Sequence, residues 1–127
     1  MARDTSRRGF NVVALKGSDH SVIYSKHYNT YKYSNASKQM KKDFKKLPKG
    51  TVIIAAIKDD GAKKLKYSGK RMFMNMGAKK IWKLGYKKGW AFLGVKGMKR
   101  AVEQYGKSAE FGVVMGYVQV ERKVRKV

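Results

Sequence analysis

The sequence contains no cysteine, one proline and only eight acidic residues among its 127 positions. The absence of cysteine excludes disulfides, thiolate metal sites and a cysteine nucleophile, and it favours a reducing compartment. No stretch approaches the roughly 18 apolar residues of a membrane-spanning helix, and residues 1–10 lack the apolar core of a signal peptide. The predicted location is therefore intracellular or virion-associated, rather than secreted through a signal peptide.

Positive charge is abundant instead, since 31 lysines and arginines give a formal net charge of +23. A field of this size needs an anionic partner or counterions. A charge run is also commonly only a solvated face, so that alternative stays open. The candidate contacts to an anionic partner are Arg3, Arg7, Arg8, Lys41, Lys42, Lys45, Lys87, Lys88, Arg122, Lys123, Arg125 and Lys126.

The length fits one domain, because no linker or repeat divides the chain. We expect a basic arm at residues 1–8, the domain at residues 9–120 and a basic tail at residues 121–127. Apolar and β-branched runs predict strands, and apolar spacing of i, i+4, i+7 predicts helices. The predicted strands are 10–15, 22–28, 52–57, a short strand that starts at 81–82, 90–95 and 111–120. The first predicted helix follows N-cap candidates at 34–37 and ends before Pro48, and the second lies near 68–76 and is closed by Gly77. A helical turn is predicted at 98–105.

The run TVIIAAIKDDG at residues 51–61 is predicted to be the central strand, because it is apolar on both faces. It ends in Asp59 and Asp60, two adjacent carboxylates in a very basic chain. These form either a ligand site or a turn that caps the next helix.

Catalysis is not predicted. The two histidines, His20 and His27, have no local metal-ligand spacing. No nucleophile elbow, phosphate-binding loop or dinucleotide motif occurs. Asp59 and Asp60 are adjacent on an extended segment, so their side chains point to opposite sides and are poorly placed to share one substrate. No metal and no cofactor is expected.

Four blocks occur in an order that resembles the interleukin-like EMT inducer (ILEI) family. They are GFNVVAL at 9–15, YNTYKYSNASKQM at 28–40, LPKGTVIIAAIKDDGAKKL at 47–65 and MGAKKIWKLGYKKGWAFLGVKG at 76–97. The resemblance implies an α+β protein with a compact β-β-α fold, in which two small sheets carry short flanking helices. It also implies a non-catalytic module. Related modules include secreted signalling proteins and a carbohydrate-binding stem domain of a glycosyltransferase.

The resemblance to that stem domain also implies a sugar site. Its acidic residue corresponds to Asp59 and its basic residue to Lys87, with Tyr86 beside them; Asp60 and Trp90 complete the candidate set. A carboxylate accepts hydrogen bonds from sugar hydroxyls, a cation donates them, and an aromatic ring stacks on the sugar.

Three functions are therefore open. The leading hypothesis is a non-catalytic structural or binding module that docks through its basic surface onto acidic coat or scaffold subunits of a larger assembly, such as a virion or phage particle. The second is a carbohydrate-binding module. The third is a nonspecific nucleic-acid binder, which predicts affinity that falls steeply with salt.

Overall fold

A computed structural model describes residues 9–30, 32–58, 65–84 and 89–106. It contains five strands, two helices and one 3-10 turn in the described residues. They are β1 (Gly9–Leu15), β2 (Val22–Tyr28), α1 (Ala36–Lys45), β3 (Val52–Lys58), α2 (Tyr67–Asn75), a 3-10 turn (Ile81–Lys83), β4 (Trp90–Val95) and β5 (Ala101–Tyr105).

The described strands form one antiparallel sheet in the order β2-β1-β3-β4-β5. The α+β class is confirmed, and β3 is the central strand as predicted. The expectation of two small sheets is wrong for this part of the chain, because β1 pairs with β2 on one side and with β3 on the other. Because β1 pairs on both sides, the β1–β2 hairpin belongs to the same sheet as β3, β4 and β5.

The main core lies between the sheet and the two helices. Side chains alternate between the two faces of a strand, so every second residue of β1, β3 and β4 points toward the helices. Phe10, Ile53 and Phe92 are fully buried or nearly so on that face, and Met40 of α1 and Phe73 of α2 pack over them. A smaller apolar cluster, formed by Leu15, Val52 and Leu93, lies on the opposite face.

Two local predictions are wrong. Residues 81–82, expected as a strand, lie in a single 3-10 turn, closed by the N–H groups of Lys83 and Leu84. The helical turn expected at 98–105 is mostly β5, which completes the hydrogen bonding of β4. At 98–105 pairing with β4 outweighs local preference, whereas at 81–83 local hydrogen bonds between residues three apart close the turn. The predicted strand at 111–120 lies outside the described residues.

The ends of both helices follow the sequence signals. Helix α1 stops at Lys45, before Pro48, as expected. Helix α2 stops at Asn75, and Gly77 follows with a φ of +106°, a conformation that favours glycine. A Cβ at Gly77 would also lie 2.8 Å from the carbonyl carbon of Lys99. The prediction that Gly77 closes this helix is confirmed.

Lys96, the residue directly after β4, caps the C-terminus of α1. Lys96 Nζ donates to the carbonyl oxygens of Phe44 at 2.5 Å and Leu47 at 2.6 Å, with Lys45 at 3.4 Å. The last carbonyl groups of a helix lack the usual i+4 partner, so Lys96 adds a donor where the Leu47 N–H also bonds the Phe44 carbonyl at 3.1 Å. A cation there also interacts favourably with the helix dipole.

We expect Lys96→Met to lower the free energy of unfolding by about 1–2 kcal/mol, because the methionine retains the apolar stem but removes the charged donor. Urea unfolding measures the change. Lys99→Met, at an exposed lysine nearby, serves as the control. Equal stability of wild type and Lys96→Met would show that water replaces this cap without cost.

Candidate functional site: the lysine face of the first helix

Most of the predicted site residues lie outside the described part of the chain. This holds for the sugar-site residues Asp59, Asp60, Tyr86 and Lys87. It also holds for the anionic-partner contacts Arg3, Arg7, Arg8, Lys88, Arg122, Lys123, Arg125 and Lys126. The described candidates are Trp90 on β4 and Lys41, Lys42 and Lys45 on α1.

Trp90 is part of the core. Its side chain is fully buried, with its ring 5.0 Å from that of Phe73 and 5.5 Å from that of Phe92. Its indole N–H donates to Glu103 Oε2 at 2.8 Å. The ring therefore has no free face on which a sugar could stack, and Trp90 does not converge with the helix lysines.

Helix α1 separates an apolar face from a cationic one. Met40 and Phe44, one turn apart, point into the core. Five lysines occupy other positions between residues 38 and 46, and all five are exposed. We call this surface the lysine face; it consists of Lys38, Lys41, Lys42, Lys45 and Lys46.

The one carboxylate of the helix is turned away from the lysine face. Asp43 is 6% exposed and accepts hydrogen bonds from Tyr28 Oη at 2.6 Å and Gln39 Nε2 at 3.1 Å. Lys26 Nζ lies 3.2 Å from the same carboxylate. Asp43 is therefore neutralised from inside the fold, and the charge of the lysine face is left uncompensated by its own helix.

These contacts set the protonation of the cluster. Burial by itself raises the pKa of Asp43, but hydrogen bonds from Tyr28 and Lys26, together with the charge of Lys26, hold the pKa below its ordinary value. Burial, followed by the hydrogen bond to Asp43, raises the pKa of Tyr28. Asp43 is therefore an ionised acceptor at neutral pH, and Tyr28 is a neutral donor.

The other two described carboxylates are also engaged internally. Asp19 accepts from the backbone N–H and the hydroxyl of Ser21, and the backbone hydrogen bond is the main cause of its lowered pKa. Glu103 accepts from the backbone N–H groups of Lys79 at 2.6 Å and Lys80 at 2.9 Å, besides the Trp90 indole. In the described ranges, each acidic side chain therefore accepts hydrogen bonds from other groups of the protein.

Sequence reasoning found the lysines but missed Asp43 and Arg71. A lone carboxylate three residues after the buried Met40 was the available signal for Asp43, because that spacing places it beside the core-facing stripe. Arg71 belongs to α2 and lines a groove with Lys41 of α1. No local signal connects these two residues.

Over the described residues, no cluster of three or more histidine, aspartate or glutamate side chains could hold a metal ion. No helix in that same part is long and apolar enough to cross a bilayer. The expectation that the protein needs no cofactor stays a prediction.

Comparison with known proteins identifies relatives over most of the chain. The model of the family "Interleukin-like EMT inducer" matches residues 8–98. Protein FAM3C of Rattus norvegicus is 34% identical over 92 residues, which are 72% of this chain and 40% of that protein. Protein FAM3D of Homo sapiens is 27% identical over 104 residues, which are 80% of this chain and 46% of that protein.

A third relative is much larger. The human cell migration-inducing and hyaluronan-binding protein is 27% identical over 95 residues, which are 75% of this chain but 7% of that protein. The matched region thus spans less than half the length of each of these three relatives. The family description and the name of this third relative are those of inducers of cell responses.

These relatives correct the expected function, partners and location. A structural module of a virion or phage particle is wrong, because the relatives are interleukin-like and cell migration-inducing proteins. Acidic coat or scaffold subunits are wrong as partners for the same reason. The carbohydrate-binding and nucleic-acid-binding alternatives conflict with the FAM3 relatives too. An intracellular or virion-associated location conflicts with a family that includes secreted signalling proteins.

The resemblance itself is confirmed. The family match covers residues 8–98, which include all of the described elements up to the end of β4. The sheet with two helices agrees with the α+β fold that the resemblance implied. The chain is a member of the interleukin-like EMT inducer family.

Proposed function

We propose that this protein is a non-catalytic signalling module that acts outside the cell and binds an acidic protein surface through the lysine face of α1. One observation carries the proposal: Asp43, the only carboxylate of the helix, is held inside by Tyr28, Gln39 and Lys26. The lysine face is therefore left without an acidic neighbour on α1. The names of the relatives supply the signalling class.

The rest of the molecule supports this mode of binding. The helix is anchored on the sheet by Met40 and Phe44 and capped by Lys96, so its lysines project from a fixed support. Cations arranged on a rigid element steer an acidic partner and set its orientation, without a chemical step. The basic residues of the segments 1–8 and 121–127 add to the attraction at long range, and the division into an arm, a domain at 9–120 and a tail remains part of the proposal.

The test is binding of the fluorescently labelled protein to cultured human cells, chosen because human proteins are among the relatives. The cells are first treated with nuclease and glycosaminoglycan lyases, because a chain of net charge +23 binds any polyanion. We expect saturable binding that survives these treatments and is removed when the cells are treated with protease.

The lysine face is tested by the charge reversal Lys42→Glu/Lys45→Glu. We expect the Kd for cells to rise about tenfold, or about 1.4 kcal/mol, because two attractive charges become repulsive. The matched control is Lys99→Glu/Arg100→Glu, which reverses two exposed cations outside α1. Equal losses in the two variants, or complete loss of binding after lyase treatment, would contradict the proposal.

A further inference from the structure

A groove runs between the two helices on the outer side of the fold. Its volume is about 290 Å³. The helices approach closely at its end, where the backbone N–H of Lys66 donates to Ser37 Oγ at 3.0 Å. A Cβ at Gly69 would lie 3.1 Å from the same oxygen, so glycine permits this approach. The groove is lined by Lys41, Tyr67, Ser68, Arg71, Met72 and Asn75.

The helical repeat explains why these residues meet. Lys41 lies one turn beyond Ser37, so it is on the side of α1 that faces α2. On α2, Ser68, Met72 and Asn75 follow one another at i, i+4 and i+7 and form one wall. Arg71 is exposed beside them. The crossing of the helices thus brings one lysine and one arginine into the same groove.

The lining of the groove favours a ligand in which an anionic group lies next to an apolar group. Lysine supplies a point charge, and the arginine fork donates two parallel hydrogen bonds to a carboxylate. Ser68 and Asn75 add neutral donors. The half-buried Met72 and the ring of Tyr67, whose residue is 62% exposed, offer apolar surface. Among the described residues that line the groove, none is acidic.

We propose that this groove binds an acidic segment of the partner protein, with a glutamate or aspartate side chain between Lys41 and Arg71 and an adjacent apolar side chain against Met72. Charge complementarity supports this occupant, because the groove continues the lysine face through their shared residue Lys41. A free sulfate or phosphate group would use the two cations but not the apolar floor. The inference rests on the proposed function and specifies where the acidic protein makes its most directional contact.

The probe is a short end-blocked peptide of glutamates with leucine at every third position, titrated into the full chain. Fluorescence anisotropy gives its Kd, and NMR gives the location. We expect shifts of backbone amides confined to residues 37–45 and 66–75. A peptide with glutamine in place of glutamate tests the charge, and one with serine in place of leucine tests the apolar contact; each should bind more weakly.

The decisive variant is Lys41→Ala/Arg71→Ala, with Lys99→Ala/Arg100→Ala as a control that removes the same two residue types elsewhere. We expect the Kd to rise about tenfold in the first and less than about twofold in the second. Arg71→Lys keeps the charge without the fork and should be intermediate. Equal losses of affinity in both double variants would contradict binding of the acidic segment in the groove. Amide shifts spread over the whole basic surface would contradict it too.

Three further outcomes test this inference and separate it from the proposed function. If a sulfated oligosaccharide displaces the peptide and binds more tightly at the same residues, the groove is not a site for an acidic protein segment. If Lys41→Ala/Arg71→Ala leaves the lyase-resistant binding to cells unchanged while Lys42→Glu/Lys45→Glu weakens it about tenfold, the groove is not the binding site and the proposed function stands. If no variant, wild type included, shows binding that is lyase-resistant and protease-sensitive, the proposed function itself fails.

Discussion

Replacing Phe73 by alanine is expected to lower the free energy of unfolding by about 3–5 kcal/mol, the range found for deleting a large buried side chain. Phe73 is fully buried on α2 at the centre of the main core. Four aromatic rings surround it and cannot all close the space that its removal leaves. Their centroids lie 5.0 Å (Trp90), 5.1 Å (Phe92), 5.4 Å (Phe10) and 5.5 Å (Phe44) from its own.

Urea unfolding followed by tryptophan fluorescence measures this effect, because Trp90 is one of the contacting rings. Phe73→Leu should lose less than Phe73→Ala, since it retains more of the buried volume. Tyr67→Ala, on the exposed side of the same helix, is the control and should change stability by no more than about 0.5 kcal/mol. A loss below about 1 kcal/mol in Phe73→Ala would show that the helices collapse onto the sheet without this ring.

The parts of the fold that could be predicted are those specified by neighbouring residues. The β-branched run Val52–Ile57 is apolar on both faces, and β3 lies at the centre of the sheet with apolar clusters on either side. The spacing of Met40 and Phe44 predicted α1, and Gly77 predicted the end of α2. Each signal is complete within about two helical turns or one strand, so no distant contact was needed to read it.

Strand β5 could not be predicted from residues 98–105, because the groups that it bonds lie outside that segment. Its glutamate, Glu103, accepts from the backbone N–H groups of Lys79 and Lys80 and from the indole of Trp90. These contacts link β5 to the residues at the start of the 3-10 turn. A local reading of residues 98–105 contains none of this information, so it favoured a helical turn where the sheet imposes a strand.

The candidate site, like the fold, has features that the sequence predicted and features that it could not. The periodicity of α1 predicted that its lysines share an outer surface, and they do. It could not predict that Arg71 joins Lys41 in one groove, because that depends on the close approach of Ser37 and Gly69. Nor could it predict that Asp43 is bound inside by Tyr28, which lies 15 positions earlier on another element.

Replacing Asp43 by alanine is therefore the second change with a large expected effect. We expect a loss of about 2–3 kcal/mol, because the buried hydroxyl of Tyr28 would lose a charge-assisted hydrogen bond at 2.6 Å and be left without its acceptor. The contribution of Lys26 is smaller, because its side chain is 44% exposed and its charge is screened by solvent. Tyr28→Phe/Asp43→Ala should lose less than the sum of the two single changes, since the partners interact directly.

The same cluster predicts a dependence on pH. The folded-state pKa of Asp43 lies below its ordinary value, so its contribution is complete above the unfolded pKa of about 3.9 and is lost as pH falls through the lower folded-state value. Asp43→Asn removes the titrating group but keeps an oxygen that accepts from Tyr28. Urea unfolding should therefore show wild type more stable than Asp43→Asn at neutral pH, with the gap closing below about pH 4. A gap that stayed constant down to about pH 3 would mean that shape and hydrogen bonding, and not the carboxylate charge, stabilise this end of α1.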